Sequence, residues 1–180
     1  MQVRLPEGTR GSREEKIAMV TKRLTLEEAA PCVKLIFGSD LGKKYYPTEE
    51  FLRYELERGI REDDCYVATQ DGETVGIVWF QRKGAFHLFP YLHLIVIKKD
   101  CQSRGLGREL MDLFESEILE DGNRKLIRTS AFLLVSKTNG RAMTMYKRRG
   151  YREVTELDGL FRRKITEVLM VKQVVRKQPH

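Results

Sequence analysis

Apolar positions along this chain follow two rhythms, and their alternation predicts the order of its elements. The stretch from Ile17 to Leu24 reads as a first strand. Thr25 then reads as the cap of a helix running to about Phe37, which Pro31 is expected to bend or split. Gly38 and Gly42 mark a loop, and Pro47-Thr48 opens a second helix. Along it Phe51, Leu52, Leu56 and Ile60 recur at helical spacing. Strand spacing follows. Cys65–Thr69 and Val75–Phe80 flank the turn signal Asp71-Gly72 and form a hairpin. Gly84 marks a second turn, and Phe86–Phe89 extends the sheet until Pro90 interrupts it. Tyr91–Ile97 has apolar residues on both faces, so it belongs in the middle of a sheet. A helix from about Leu106 to Leu119, a strand Lys125–Val135 and a helix Asn139–Arg149 stopped by Gly150 come next. Tyr151–Leu157 and Lys164–Val174 close the chain as strands. This order predicts an α/β (α+β) domain on one mixed, mostly antiparallel sheet that contains a parallel pair.

A length of 180 residues with 41% hydrophobic positions favours one domain with its own core. We expect a lead-in over 1–16, the domain over 17–175 and a tail over 176–180. No apolar run approaches the roughly 20 residues of a membrane span, and residues 1–15 lack the apolar stretch of a secretory signal. Cys32, Cys65 and Cys101 are odd in number and far apart, which argues against a disulfide framework and against a cysteine-rich metal site. These features lead us to expect a cytoplasmic protein with no metal and no membrane partner. The net charge of +7 suits solvated faces, a nucleic acid or a phosphorylated small molecule. The basic residues are spread out and alternate with acids, and the chain has no zinc-finger spacing. Nucleic-acid binding, resting on net charge alone, therefore ranks low.

The candidate chemistry centres on Gln102-Ser103-Arg104-Gly105-Leu106-Gly107, set between a strand and a helix. A helix start has unpaired N–H groups and a partial positive charge, and glycines let an anion come close. Arg104 and Arg108 would add charge-assisted contacts. Simple turn chemistry is the other reading of such glycines. Neither a nucleotide-triphosphate loop nor a dinucleotide fingerprint fits, since position 110 is Leu110.

Gln102, Gly105 and Gly107 match the Gln/Arg-x-x-Gly-x-Gly/Ala segment of the GNAT superfamily of N-acetyltransferases, and Leu94 to Lys98 resembles that family's central strand. A second segment, Asn139, Ala142, Tyr146 and Gly150-Tyr151, resembles the family's other signature at every fixed position. Val168 to Lys172 is similar to its closing strand. The resemblance implies a single GNAT-like domain in which the central strand splays from its parallel neighbour. It implies acetyl-CoA as co-substrate, an amine acceptor, direct transfer in a ternary complex, and a homodimer among the assemblies to expect. Carried over by position, Leu94, Ile95 and Val96 would contact pantetheine through their backbone. The amides of Gln102, Ser103, Arg104, Gly105, Leu106 and Gly107 would hold the pyrophosphate.

Tyr146 matches the family's general acid, and a phenol with an ordinary pKa of about 10 is protonated at neutral pH. Read from spacing alone it is more readily a core aromatic. Asn139 either caps its helix or also touches the cofactor. Many members place a glutamate on the central strand as base, and this strand has none. Tyr91 and His93 stand there instead, two apart and on one side. His93 is a base candidate by its intrinsic pKa, or a satisfied core residue. His87 is a weaker candidate, and Cys101 lacks the partners of a nucleophile. The acceptor is expected between Asp40–Tyr46 and the helix Thr48–Glu62, whose acids suit either a cationic amine or a solvated face. A non-catalytic acyl-CoA sensor on the same fold is the main alternative.

Overall fold

The computed structural model describes residues 19–177; the expected lead-in, the start of the first strand at Ile17 and the end of the tail lie outside them. Seven strands form one sheet in the order β1-β2-β3-β4-β7-β9-β8. They are β1 (Val20–Arg23), β2 (Asp64–Gln70), β3 (Glu73–Ala85), β4 (Phe89–Ile97), β7 (Arg128–Ser136), β8 (Arg152–Asp158) and β9 (Thr166–Val175). A two-residue pair, β5 (Glu120–Asp121) and β6 (Arg124–Lys125), stands apart. The chain is thus a mixed α/β fold with a mostly antiparallel sheet and one parallel contact, β4 with β7.

Helices cover both faces. On one side α1 (Ala29–Gly38), α2 (Asp40–Tyr45) and α3 (Glu49–Glu62) bury Val33, Ile36, Leu52 and Leu56 against Ile77, Trp79, Leu94 and Val96. On the other, α4 (Leu106–Glu117) and α5 (Gly140–Arg148) bury Leu110, Phe114 and Tyr146 against Phe80, Leu92 and Leu133. The register explains how Leu92 and Leu94, two apart, reach opposite cores. Phe80 pairs with Leu92 and Trp79 with Leu94, so His93 is an extra residue on β4. A bulge of this kind re-aims the strand.

Several sequence expectations need correction. The segment around Gly42 is helix α2, because the Ser39 side chain accepts from the Gly42 N–H at 3.0 Å and caps it. Gly42 is required there by a close approach: a Cβ would lie 1.9 Å from the Ile36 carbonyl oxygen. Pro31 neither bends nor splits α1. It lies in the first turn, where the missing N–H has no helical partner to lose, and a 3-10 turn over Leu26–Glu28 precedes it. Gly84 is within β3, and the reversal falls at 86–88, so Phe86 to Leu88 is a turn, and β4 runs through Pro90. The strand expected from Lys125 begins at Arg128.

Two ionic clusters join the layers. Arg82 on β3 reaches Asp64 at 2.8 Å and Glu117 of α4 at 3.2 Å, and Arg23 of β1 also bonds Asp64. Glu115 of α4 accepts from Lys172 of β9 at 2.7 Å and pairs with Arg149 at 3.1 Å, just past α5. The carboxylates of Asp64 and Glu115 are thereby matched, as their desolvation requires.

Helix α3 comes closest to the sheet at Gly59, where an added Cβ would meet Trp79 Cζ2 at 2.2 Å. Trp79 is fixed by a 2.8 Å bond from Nε1 to Asp63. Gly59→Ala is expected to destabilise the fold by about 1–3 kcal/mol through overpacking, read as a lower urea midpoint.

Candidate active site

Strands β4 and β7 pair only at Tyr91–Phe132 and Leu92–Leu133. Beyond Leu92, β4 continues to pair with β3 but loses β7. The sheet therefore opens into a wedge, and Leu94, Ile95 and Val96 line it from one side while Leu134, Val135 and Ser136 line it from the other. The side chains of Leu94 and Val96 are buried in the core, so what they present to the wedge is backbone. Backbone N–H and C=O groups on an open edge need partners. The cleft built around this wedge measures ≈ 1790 Å³, above the roughly 300–1,000 Å³ typical of small-ligand sites.

The helix start lies at one end of the cleft. Gly105 caps α4 in the left-handed region, with φ 91°, and Ser103 is also left-handed, at φ 66°. The Arg108 and Glu109 amides bond the Gly105 carbonyl at 2.9 and 3.1 Å. The amides ahead of them lie at a helix start, where no carbonyl stands one turn back. Ser103, Gly105, Gly107 and Arg108 line the cleft, whereas Arg104 is exposed outside its lining and Leu106 is buried in the core. Gln102 is a latch: its Nε2 donates to the Ile97 carbonyl at 3.1 Å, and its amide to Lys99 O at 3.4 Å. Arg141, which the sequence reading did not single out, donates to Gln102 Oε1 at 2.6 Å and Ser103 Oγ at 3.0 Å. Its place two residues after Asn139 was visible, but nothing in the spacing linked it to the loop. Asn139 caps α5 through Ala142 N at 3.1 Å and lines the cleft as well.

Deeper in, Tyr146 enters from the α5 side, with its ring 5.8 Å from that of Tyr151. Burial, and then the neighbouring Tyr91 phenol, push its pKa above the ordinary range, so it stays protonated. Tyr91 comes from the opposite face. Burial and then the Glu167 carboxylate push its pKa up to about 12, which leaves it a donor and not a base at neutral pH. His93 borders the cleft and has exposed surface there, yet Trp79 (centroids 4.2 Å) and Tyr91 (6.4 Å) crowd it. The Tyr46 hydroxyl lies 3.2 Å from its Nε2. Loss of solvation dominates over the opposing charges of Asp63 and Glu55 and pushes the imidazole down to about 4. His87 lies in the 86–88 turn, away from the cleft lining. Burial pushes the Cys101 thiol pKa up, which keeps it from being a thiolate.

Of the acids expected to wall the acceptor site, only Asp40 and Glu55 line the cleft. Arg58 bonds Glu55 at 2.6 Å and Glu62 at 3.2 Å, so much of the acidity of α3 is neutralised on its own surface. The acid that sequence reasoning missed is Glu167. It is 1% exposed, lines the cleft from β9 and accepts from the Tyr45 hydroxyl at 2.9 Å. No motif marks it, because strand register alone brings it opposite Ser136. Among the described residues, no group of three or more His, Cys, Asp or Glu is placed to hold a metal, and no helix is long and apolar enough to cross a membrane.

Residues 34–174 match the family model described as an acetyltransferase (GNAT) domain, and the chain belongs to that family. Ard1 from Thermoplasma volcanium is similar in structure, with a TM-score of 0.72 at 21% identity over 89% of this chain and 100% of its own. A putative GNAT acetyltransferase from Desulfovibrio desulfuricans gives 0.71 at 18%, over 88% and 100%. The ribosomal-protein-S18-alanine N-acetyltransferase from Escherichia coli gives 0.66 at 16%, over 91% and 98%. These likenesses describe the fold. A search of curated proteins found no significant match.

The glycines of the loop separate by geometry. A Cβ on Gly107 would meet nothing closer than Met145 Sδ at 3.7 Å, but any side chain at Gly105 is strained by its φ. Gly105→Ala is expected to cost about 1–3 kcal/mol in thermal or urea unfolding and to weaken acetyl-CoA binding, while Gly107→Ala changes neither. A separate expectation concerns His93. Its folded pKa lies below the unfolded value, so the unfolded chain binds the extra proton between about 6.5 and 4. Its contribution is complete above that window and is lost as pH falls through it. His93→Gln should therefore flatten the decline in urea midpoint between pH 6.5 and 4.

Proposed function

We propose that this chain transfers an acetyl group from acetyl-CoA to a primary amine by direct attack within a ternary complex. The observation that carries this reading is the wedge itself: unpaired β4 backbone, a helix start at its mouth and a protonated tyrosine inside it. The residues fit coenzyme A. The amides from Ser103 to Gly107, with Arg108, suit the pyrophosphate. The open edge at Leu94, Ile95 and Val96 suits the amide groups of pantetheine, and one of these N–H groups would polarise the thioester carbonyl. Arg141 and Gln102 would hold the loop in shape, and Asn139 would present the start of α5.

The amine nitrogen forms its bond to the carbonyl carbon as the carbon–sulfur bond breaks. Tyr146 gives its phenolic proton to the departing sulfur, and the proton released by the nitrogen on collapse restores the phenol. Tyr91 stands across the wedge as a hydrogen-bond donor. An imidazole held near 4 is neutral at physiological pH, so His93 suits a hydrogen-bonding part near the amine better than storage of its proton.

Calorimetric titration with acetyl-CoA, CoA and desulfo-CoA, combined with thiol release in the presence of primary amines, tests the proposal. Binding to none of the three overturns it. Tyr146→Phe is expected to leave acetyl-CoA affinity within about threefold and to lower kcat by about 100-fold or more, the usual scale of a lost general acid.

A further inference from the structure

The strand that supplies the base in many relatives carries no carboxylate here, yet a carboxylate lies in the same cleft on another strand. Glu167 is at the start of β9, opposite Ser136 at the end of β7, where the wedge is open. Residues paired across strands share a face, so Glu167 lies on the face to which Ser136 and α2 belong. That is the face opposite Tyr146. Its Oε1 is fixed by the Tyr45 hydroxyl of α2 at 2.9 Å. Its Oε2 is buried and has no partner. The Tyr45 phenol is held protonated, at about 12, by burial and by Glu167 itself, so the bond is a steady donation to the carboxylate.

A buried carboxylate oxygen with no donor is costly, and a fold keeps one where something else supplies the donor. Among the other acids lining the cleft, Asp40 is exposed to solvent and the rest are matched. Glu55 holds Arg58, Asp112 holds Arg149, and Glu115 holds Arg149 and Lys172. Nearby, Lys44 spends its ammonium on the hydroxyls of Ser136 and Thr138, at 2.9 and 3.2 Å, and not on Glu167. Oε2 is thus left without a hydrogen-bond donor from the protein.

We propose that Glu167, oriented by Tyr45, is the site's receptor for the ammonium of the acceptor amine and takes its first proton. The inference rests on the acetyl-transfer reading and deepens it. The ammonium donates to Oε2; one N–H bond breaks, the proton passes to the carboxylate, and the freed lone pair faces the thioester carbon from the side opposite Tyr146. The substrate class is therefore an amine that is cationic in solution. An arylamine, neutral in solution, brings no charge to match.

The test compares the native chain with Glu167→Gln, which keeps the shape and the acceptor for Tyr45 but removes the charge. The probes are benzylamine, 1,5-diaminopentane, glycinamide and a short lysine peptide, with aniline as the neutral control. The expected result is turnover of at least one cationic amine in preference to aniline, and a fall of about 100-fold in its kcat/KM in Glu167→Gln. Acetyl-CoA affinity should stay within about twofold and the melting temperature should hold or rise, since the variant relieves an unpaired buried charge. A structural role predicts the reverse, with stability, cofactor affinity and turnover falling together, and that pattern overturns the proposal. So does unchanged kcat/KM, or a preference for aniline. If Glu167→Gln fails to fold, Tyr45→Phe decides: a fall of about tenfold supports the assignment, and an unchanged value overturns it. A native chain that binds acetyl-CoA but acetylates none of the cationic amines overturns this inference alone; one that binds neither acetyl-CoA nor its analogues overturns the acetyl-transfer reading with it.

Discussion

Everything in this molecule turns on two parallel strands that meet for two residue pairs and then part. A sheet normally satisfies its backbone by pairing every inner strand on both sides. Here β4 is the middle strand of seven and yet carries an open edge over its second half. The opening is built in by several features at once. The extra residue at His93 turns β4 so that Leu92 and Leu94 enter different cores. The latch from Gln102 to Ile97 fixes the far end of the strand where the helix begins. On the other arm, β9 pairs with β7 along the whole length of β7, from Arg128 to Ser136, which holds that arm away from the open edge of β4. The cavity is the geometric remainder of these constraints and does not depend on a mobile loop.

The wedge also lets side chains from opposite faces approach one another, which a closed sheet would prevent. Tyr146 belongs to the core beneath α4 and α5, Tyr46 packs on the core of α1 and α3, and Tyr45 ends α2 beside it. Neither group could be held in place by its helix alone, since α2 spans only Asp40–Tyr45 and α5 only Gly140–Arg148. Each is anchored from outside. The Tyr45 hydroxyl bonds Glu167, and its ring meets Phe161 at 5.9 Å, while α5 is tied to α4 and β9 through Arg149, Glu115 and Lys172. A buried hydrogen bond thus fixes the end of α2, and an ion-pair cluster fixes the end of α5.

How much of this was legible in the sequence follows from which signals are local. The hairpin at Asp71-Gly72, the central strand Tyr91–Ile97 and the helices after Gly105 and Asn139 are set by turn chemistry and periodicity, and they lie where the pattern placed them. Helix α2 reads as a loop in the sequence because Gly38 and Gly42 bracket its start; the close approach that requires Gly42 is a tertiary fact. The reversal at 86–88 was misplaced because Phe86 and His87 adopt left-handed backbone without being glycine. At the site, motif spacing led to the loop, Asn139 and Tyr146. It did not lead to Arg141 or Glu167, whose neighbours are 38 or more residues away in sequence. The bulge at His93 was equally hidden, since alternation within one strand says nothing of the register of its partner.

Net charge was the least informative of the sequence features, and the structure shows why. A total of +7 counts charges that cancel locally. Lys98 pairs with Glu73, Lys137 with Glu156 and Lys147 with Glu153, and α3 neutralises much of its own acid. What sets the field in the cleft is where pairing fails. Arg141 gives its hydrogen bonds to the neutral Gln102 and Ser103, beside the positive end of the α4 dipole. Two positive features placed together repel unless an anion lies between them. At the other end of the cleft one buried carboxylate oxygen, that of Glu167, lacks a donor. The loop end is therefore positive, while at the other end the Glu167 carboxylate lies near the Lys44 ammonium, which the Ser136 and Thr138 hydroxyls hold. A positive loop is what the proposed binding of a pyrophosphate there requires.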